Sequence, residues 1–156
     1  MKLLFGKLYP VLLVNMEHLA ILEKKRKLLT KILLGEKTIE SRWYKSKVAP
    51  WGKIKAGETI YFKESGDPVR AKAEIAEVMQ FYLPQTDIPD LLEKYSKDIC
   101  FNNPRPELIE WCSQRKYAIL LRLKNVELIE PFEINKKGFG LMAAWISVDR
   151  IEKIKV

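Results

Sequence analysis

Gly35-Glu36-Lys37-Thr38-Ile39-Glu40-Ser41-Arg42 is the stretch at which the chain changes from a helical to a strand-like pattern. Apolar residues at helical spacing precede it, and its first residue is a glycine, which readily ends a helix in the left-handed conformation. Beyond the glycine, apolar and polar residues alternate as they do in a half-buried strand. The alternation predicts a strand from Thr38 to Tyr44, with one face formed by Thr38, Glu40, Arg42 and Tyr44 and the other by Ile39, Ser41 and Trp43.

The polar face of this predicted strand is a candidate site because it places a carboxylate beside a guanidinium. Glu40 can accept a hydrogen bond from an amino group, and Arg42 can hold a phosphate or a carbonyl oxygen. Lys37 has the wrong parity for this face, but it lies where the strand begins, so its long side chain can turn toward the other two. The alternative is an exposed strand with an ordinary surface ion pair.

The pattern Gly-x-Lys-x-x-Glu-x-Arg directly after a helix resembles the signature of the activating signal cointegrator homology (ASCH) domain, and Gly35, Lys37, Glu40 and Arg42 all match it. The similarity continues through residues 54–62, 117–126 and 138–145, and so covers most of the chain. The resemblance implies a mixed α/β (α+β) fold, in which a small PUA-like β-barrel carries flanking helices. It also implies a cleft over the motif that takes RNA or a modified nucleoside.

One branch of this family is an acetylcytidine amidohydrolase that uses a lysine, a threonine three residues later and a distant glutamate. Lys37 matches the lysine, but Glu40 stands at the threonine position, and Thr38 follows the lysine by one residue only. A carboxylate cannot become the same alkoxide-type nucleophile. The resemblance therefore favours an RNA-binding or nucleoside-binding module. A metal-independent ribonuclease or amidohydrolase with Lys37 and Glu40 as catalytic residues is the first alternative, and a protein-interaction module in transcription is the second.

Composition fits one basic domain that spans residues 1–156. The chain has 28 Lys and Arg against 20 Asp and Glu, which gives a formal net charge of +8. This excess favours polyanionic partners and makes their binding depend on salt. RNA is the expected partner, although charge alone does not distinguish it from DNA or from anionic headgroups. A protein partner also stays open.

Few residues are available for a metal site or for a conventional hydrolase triad. Cys100 and Cys112 lack the short paired spacing of zinc and redox motifs, and His18 is the single histidine. We expect no metal and no cofactor. The sequence shows no signal peptide and no run of membrane-spanning length, which predicts a cytoplasmic protein with no membrane partner and disfavours a Cys100–Cys112 disulfide.

The remaining periodicity predicts a small barrel connected mostly through hairpins. Helices are predicted from Glu17 to Leu34, from a cap at Asp87 to Lys97, and from Pro104 and Pro106 to Gln114. The first of these would carry the basic run Lys24–Lys27 as a solvated face rather than as a phosphate track. Besides the motif strand, strands are predicted at Tyr9–Val14, Glu58–Lys63, Arg70–Phe81, Tyr117–Val126 and Ser147–Val156.

Aromatic and basic residues near the motif extend the candidate site. Unpaired bases stack on aromatic rings while cations neutralise phosphates, and Tyr44 and Trp51 are the candidate stacking walls, whereas Trp43 belongs to the core. Two further segments are candidates. One is the strand end with Lys63, Ser65 and Gly66, for which a plain hairpin turn is the alternative, and the other is the loop around Lys137. The predicted ligand-binding residues are Lys37, Glu40, Arg42, Tyr44, Trp51, Lys63, Ser65, Gly66, Lys137 and Trp145, the last as a pocket floor or as ordinary packing.

Overall fold

A six-stranded sheet curls into an open barrel and forms the centre of the molecule. The computed structural model describes residues 2–4, 7–9, 15–101 and 105–156. Two short antiparallel strands, β1 (Lys2–Leu4) and β2 (Lys7–Tyr9), form a separate hairpin. The strands of the large sheet are β3 (Glu17–Leu22), β4 (Ile39–Tyr44), β5 (Thr59–Glu64), β6 (Val69–Tyr82), β7 (Tyr117–Phe132) and β8 (Trp145–Val148).

The strand order is β4-β7-β6-β5-β3-β8, so β4 and β8 are the two edge strands. All neighbours are antiparallel except β3 and β5, which run parallel. Strands β5 and β6 form the hairpin that the sequence predicts, and their antiparallel pairing needs only a short connection. The parallel pair requires a longer crossover, and that crossover contains the first helix and β4.

Strand β7 shows why the sheet has a core on each face. Ile119, Leu121 and Leu123 point toward the barrel interior, where they pack with Phe62 and Ile75. The alternate residues Ala118 and Leu120 belong to a second cluster on the outer face. Burial on both faces explains the nearly continuous apolar sequence of this strand.

Three α-helices complete the fold: α1 (Leu28–Leu33), α2 (Ile88–Ile99) and α3 (Pro106–Ser113). Helix α1 contributes Leu28, Leu29 and Ile32 to the barrel interior. The other two helices cover the outer face, where they pack against Ile39 and Trp43 of β4. This arrangement confirms the α+β class and the barrel with flanking helices that the sequence predicts.

The predicted helix from Glu17 to Leu34 is wrong over its first half. Residues 17–22 form β3, which lies between β5 and β8 and is buried on both faces, so it lacks the alternation that identifies a strand. A single turn of 3-10 helix at Lys24–Arg26 follows, and Lys27 adopts a left-handed φ of 54° before α1 begins. The basic run is therefore an exposed turn and not a helix face.

The predicted last strand, Ser147–Val156, is also too long. Strand β8 ends at Val148, and Ile151–Ile154 forms a 3-10 turn that buries Ile151 against Leu19 and Val69. Strand β7 instead runs six residues further than predicted, to Phe132. Most of the predicted strand Tyr9–Val14 lies outside the described residues, as does Pro104.

Helices α2 and α3 begin where the sequence predicts. The Asp87 carboxylate accepts a hydrogen bond from the Asp90 N–H at 3.0 Å, and Pro106 occupies the first turn of α3.

Both cysteines are free thiols, and burial raises the pKa of Cys112 to about 11. Among the residues that the structure describes, no helix is both long and apolar enough to cross a membrane.

Candidate functional site

A cleft of about 520 Å³ runs along the free edge of β4, and residues from both faces of that strand line it. The motif residues Lys37, Glu40 and Arg42 lie together at this cleft. Its other walls come from β3 and the turn after it, from α3 and from the loop before β8. These lining residues include Ile21, Glu23, Arg26, Ser41, Trp43, Tyr44, Ser65, Phe101, Trp111, Lys136, Leu141, Met142 and Ala144.

Lys37 is a buried ammonium group that holds two segments together. Only 2% of its surface is exposed, and its Nζ donates to the Ile39 carbonyl at 2.7 Å and to the Ile99 carbonyl at 2.9 Å. It thereby joins the start of β4 to the end of α2. Desolvation by burial lowers the pKa of Lys37, and the nearby Glu40 carboxylate opposes that shift.

Glu40 is a buried carboxylate, and one of its oxygens has no hydrogen-bond partner among the described residues. Its surface is 3% exposed, and its Oε1 accepts a hydrogen bond from the Ser41 N–H at 2.8 Å. The same oxygen lies 3.9 Å from both Lys37 Nζ and Arg42 Nε. Among the described residues, Glu40 Oε2 and Arg42 Nε have no hydrogen-bond partner. Two neighbouring charged side chains therefore each have one buried polar atom, an acceptor on Glu40 and a donor on Arg42, without a hydrogen-bond partner.

Arg42 crosses the gap between the two edges of the curled sheet. Its Nη1 donates to the Ala144 carbonyl at 3.0 Å, and its Nη2 approaches the Ile21 carbonyl at 3.4 Å. The guanidinium carbon also lies 5.2 Å from the centre of the Trp145 ring, which is the geometry of a cation–π contact. Arg42 thus forms part of the barrel closure and part of the cleft wall.

The cleft has more positive than negative side chains. Arg26, Lys37, Arg42 and Lys136 line it, against Glu23 and Glu40. Lys136 donates from its Nζ to the Leu141 and Ala143 carbonyls, at 2.8 and 3.0 Å, and so closes the loop that forms one wall. A site of this charge suits an anionic ligand that carries a hydrogen-bonding group.

The structure brings five of the ten predicted binding residues to the cleft: Lys37, Glu40, Arg42, Tyr44 and Ser65. The other five do not line it. Trp51 packs its ring 4.9 Å from that of Tyr117, Lys63 is buried in β5, and Gly66 turns the chain with a φ of 85°. Lys137 is exposed, and Trp145 is buried beneath Arg42.

Several cleft residues were not identified from the sequence, among them Trp111, Phe101, Arg26 and Lys136. Lys136 adjoins the predicted Lys137. The sequence therefore indicated the correct loop, but Lys136 rather than Lys137 is the lysine of that loop that lines the cleft. Trp111 gave no signal, because a tryptophan in an amphipathic helix resembles an ordinary core residue.

A hydrogen-bonded chain of buried side chains lies behind Arg42 and the cleft wall that it forms. His18 Nδ1 lies 2.7 Å from Ser147 Oγ, and His18 Nε2 lies 2.9 Å from Glu58 Oε1. The Trp145 indole N–H donates to the same Ser147 oxygen at 3.0 Å. The Glu58 carboxylate can only accept, so a neutral His18 carries its proton on Nε2, and its Nδ1 then accepts from the Ser147 hydroxyl. The chain orients the ring on which Arg42 lies.

This contact was not predicted, because the sequence alone does not show which serine or carboxylate lies beside the single histidine. The three residues lie on β3, before β5 and on β8, and only the sheet brings them together. His18 is fully buried, and desolvation lowers its pKa despite the opposing effect of Glu58. The hydrogen bond to His18 and the backbone N–H groups of Met16 and Lys55 outweigh the desolvation of Glu58, and the pKa of that carboxyl is lowered.

Comparison with known proteins identifies the fold. No protein-family model matches the sequence, and no curated protein matches it either. Among solved structures, the ASCH protein from Zymomonas mobilis is similar with a TM-score of 0.60 at 16% identity, over 88% of this chain and 90% of that chain. Two mutants of the same protein give TM-scores of 0.60 and 0.61, also at 16% identity and 88% of this chain, with 93% and 91% of theirs covered. The chain therefore has the ASCH fold, and at the level of the fold this confirms the resemblance identified in its sequence.

Proposed function

We propose that this protein is an RNA-binding module of the ASCH type, which takes an unpaired or modified base into the cleft beside β4. The observation that carries the proposal is a pair of buried polar atoms without hydrogen-bond partners: Oε2 of Glu40, whose other oxygen lies 3.9 Å from Arg42, and Nε of Arg42 itself. A buried polar atom without a partner costs free energy, so a ligand that supplies the missing hydrogen bond gains that energy on binding.

The two unpartnered groups match the edge of a nucleobase. Glu40 offers an acceptor and Arg42 a donor, and several base edges place an amino group beside a ring nitrogen or a carbonyl. Such edges are accessible only when the base is unpaired, which is the usual state in sequence-specific RNA recognition. Tyr44 lines the same cleft and provides an aromatic surface. The excess of cations around the cleft suits the phosphates of the chain.

The variant Glu40→Gln tests this proposal with little change of shape. The amide keeps an oxygen for the Ser41 N–H but presents an amino group where the open acceptor was, so base recognition should weaken. Because hydrogen bonds to charged groups contribute about 1.5–3 kcal/mol, affinity for the best single-stranded RNA should fall roughly 10-fold to 100-fold. Fluorescence anisotropy with labelled RNA and modified oligonucleotides provides the measurement, and single-stranded DNA of the same sequence provides the comparison.

Glu23→Gln is the matched control, because Glu23 is an exposed acid on the wall of the same cleft. It removes the same charge without touching the open acceptor, so it should leave affinity unchanged or raise it slightly. Equal effects of the two variants would show that net charge, rather than Glu40, governs binding. If the protein binds no nucleic acid even at low salt, the module is not an RNA binder and a protein partner becomes the better hypothesis.

A metal-independent ribonuclease or amidohydrolase is the second candidate, and the lowered pKa of Lys37 favours it. A lysine with a lowered pKa loses its proton more readily than an ordinary lysine and can then act as a general base, and Glu40 lies within 3.9 Å of it. The RNA recovered from the binding experiment shows whether cleavage has occurred. We expect no deacetylation of acetylcytidine at an enzymatic rate, because a carboxylate occupies the position of the nucleophilic threonine.

The proposed location is the cytoplasm.

A further inference from the structure

Trp111 is a large aromatic residue that stays exposed inside the cleft. It leaves 40% of its surface accessible, although α3 packs its neighbour Cys112 completely into the outer core. Most tryptophans bury most of their ring surface, so an exposed tryptophan beside a candidate binding site is itself a candidate ligand-binding residue. Trp111 lines the same cleft as Glu40 and Arg42.

Two neighbours hold the ring in a fixed orientation. The Arg115 guanidinium lies 3.6 Å from the ring centre and donates from Nη1 to the Trp111 carbonyl at 2.8 Å. On the side of β4, the Trp43 ring meets it edge to face at 6.3 Å. A ligand that stacks here does not have to immobilise the side chain, which reduces the entropic cost of binding. Aromatic rings and guanidinium planes are both stacking surfaces for unpaired bases.

The position of the ring relative to the motif suggests a second subsite. Trp43 follows Arg42 directly along β4 and belongs to the core cluster on the other face of the strand, so Trp111, which contacts Trp43, lines the same cleft from that other face. Leu141 and Met142 also line the cleft and are 90% and 95% exposed. The cleft thus has apolar surfaces beyond those needed for a single base, together with a cationic surround.

We infer that Trp111, backed by Arg115, stacks the base adjacent to the one held by Glu40 and Arg42, so that the ligand is single-stranded RNA rather than a free nucleoside. This inference rests on the proposed function. The flat apolar surface and the positive charge together match a partner that has planar bases on an anionic backbone. Neither feature is required by a lone nucleoside, which would occupy only the first position.

Titration calorimetry with the four nucleoside monophosphates and the four matching RNA hexamers tests the inference. The hexamer of the preferred base should bind the wild type more tightly than its monophosphate does. Since stacking of a base on an aromatic side chain contributes about 1–3 kcal/mol, Trp111→Ala should weaken hexamer binding by about fivefold to about a hundredfold. Monophosphate binding should not change. Trp111→Phe, which keeps a stacking ring, should retain most of the hexamer affinity and separates stacking from any loss of folding.

Tyr82→Ala is the matched control, because Tyr82 is equally exposed at 40% but does not line this cleft. It should leave both affinities unchanged. The inference is overturned alone if Trp111→Ala leaves hexamer binding intact, or weakens hexamer and monophosphate by the same factor, while Glu40→Gln still weakens both. If the wild type binds neither ligand, the proposed function fails and the inference fails with it.

Discussion

Glu40 and Lys37 each satisfy part of the free backbone edge of β4, and this explains why two charged groups are buried there. Lys37 donates to the Ile39 carbonyl, and Glu40 accepts from the Ser41 N–H. An uncovered strand edge invites pairing with another chain, and charged side chains are a common protection against it. The two side chains therefore block the edge, and Glu40 Oε2 is left buried without a hydrogen-bond partner among the described residues.

His18 gives a prediction for the dependence of stability on pH. Its pKa is lowered by burial, so the unfolded chain binds a proton at a higher pH than the folded protein does. The free energy of unfolding should therefore be highest above about pH 6.5, the ordinary histidine value, and should fall as the pH drops below it. The free energy of unfolding stops falling once the pH is below the lowered pKa of His18 in the folded protein, because both states then bind the proton. Denaturant unfolding between pH 8 and pH 5 measures this.

The assignment can be checked directly because His18 is the single histidine in the chain. Its imidazole resonances in the folded protein should titrate below those of a reference peptide. The variant His18→Gln should lose the part of the pH dependence that lies just below pH 6.5. A folded-state pKa above the reference value would contradict the neutral tautomer and would reverse the expected slope.

Residue patterns predicted the motif but not this hydrogen-bonded chain. The parity of the strand correctly placed Ile39 and Trp43 on a core face and Glu40 beside Arg42. His18 and Ser147 are 129 residues apart, and His18 and Glu58 are 40 apart. Their contact depends on which strands are neighbours in the sheet, and a single sequence carries no signal for that.

Among the elements, α1 ends as the sequence predicts because Gly35 adopts a φ of +77°. A Cβ at this position would meet no atom within 4 Å, so a substitution acts through backbone strain alone. Gly35→Ala should lower the free energy of unfolding by about 1 kcal/mol, the usual cost of a left-handed alanine. For a chain of this size, each kcal/mol lowers Tm by about 2–4 °C.

Gly35→Asn is the control for that prediction, because asparagine tolerates the left-handed conformation better than alanine does. It should retain more of the stability in the same thermal unfolding experiment. Equal Tm values for Gly35→Ala and the wild type would mean that the turn relaxes to another conformation and that Gly35 is not required there.

Elements with a local boundary signal were predicted well, and elements defined by tertiary burial were not. Helix α2 has a capping aspartate and a proline in its first turn, and both act within a few residues. Strand β3 has no such signal, because its pairing with β5 and β8 buries both faces and removes the alternation. The spacing of its leucines and isoleucine then resembles that of a helix.

At the scale of the whole molecule, the curled sheet shows no backbone pairing between its edge strands β4 and β8 in the part of the chain that the structure describes. Arg42 on β4 instead reaches the Ala144 carbonyl just before β8 and the Ile21 carbonyl of β3. The Ala144 carbonyl also accepts a hydrogen bond from the Ile21 N–H at 2.9 Å. One guanidinium thus connects the first edge of the barrel to the two strands at its other edge, and it also forms part of the cleft wall.

This arrangement predicts that Arg42→Lys destabilises the protein although it keeps the charge. A lysine ammonium cannot reproduce the planar fork that donates to two carbonyls while lying on the Trp145 ring. The free energy of unfolding should fall by about 1.5–3 kcal/mol, the usual contribution of hydrogen bonds from a charged group. The Ala144 carbonyl accepts from both the Ile21 N–H and Arg42, and loss of the Arg42 bond should leave this carbonyl less firmly held. Hydrogen exchange at the Ile21 amide should therefore become faster. Arg122→Lys is the matched control, because Arg122 forms only an exposed pair with Glu77 at 3.3 Å and should cost less than about 1 kcal/mol. If the two variants unfold at the same denaturant concentration, the barrel does not depend on Arg42, and the residue is then available to serve the ligand alone.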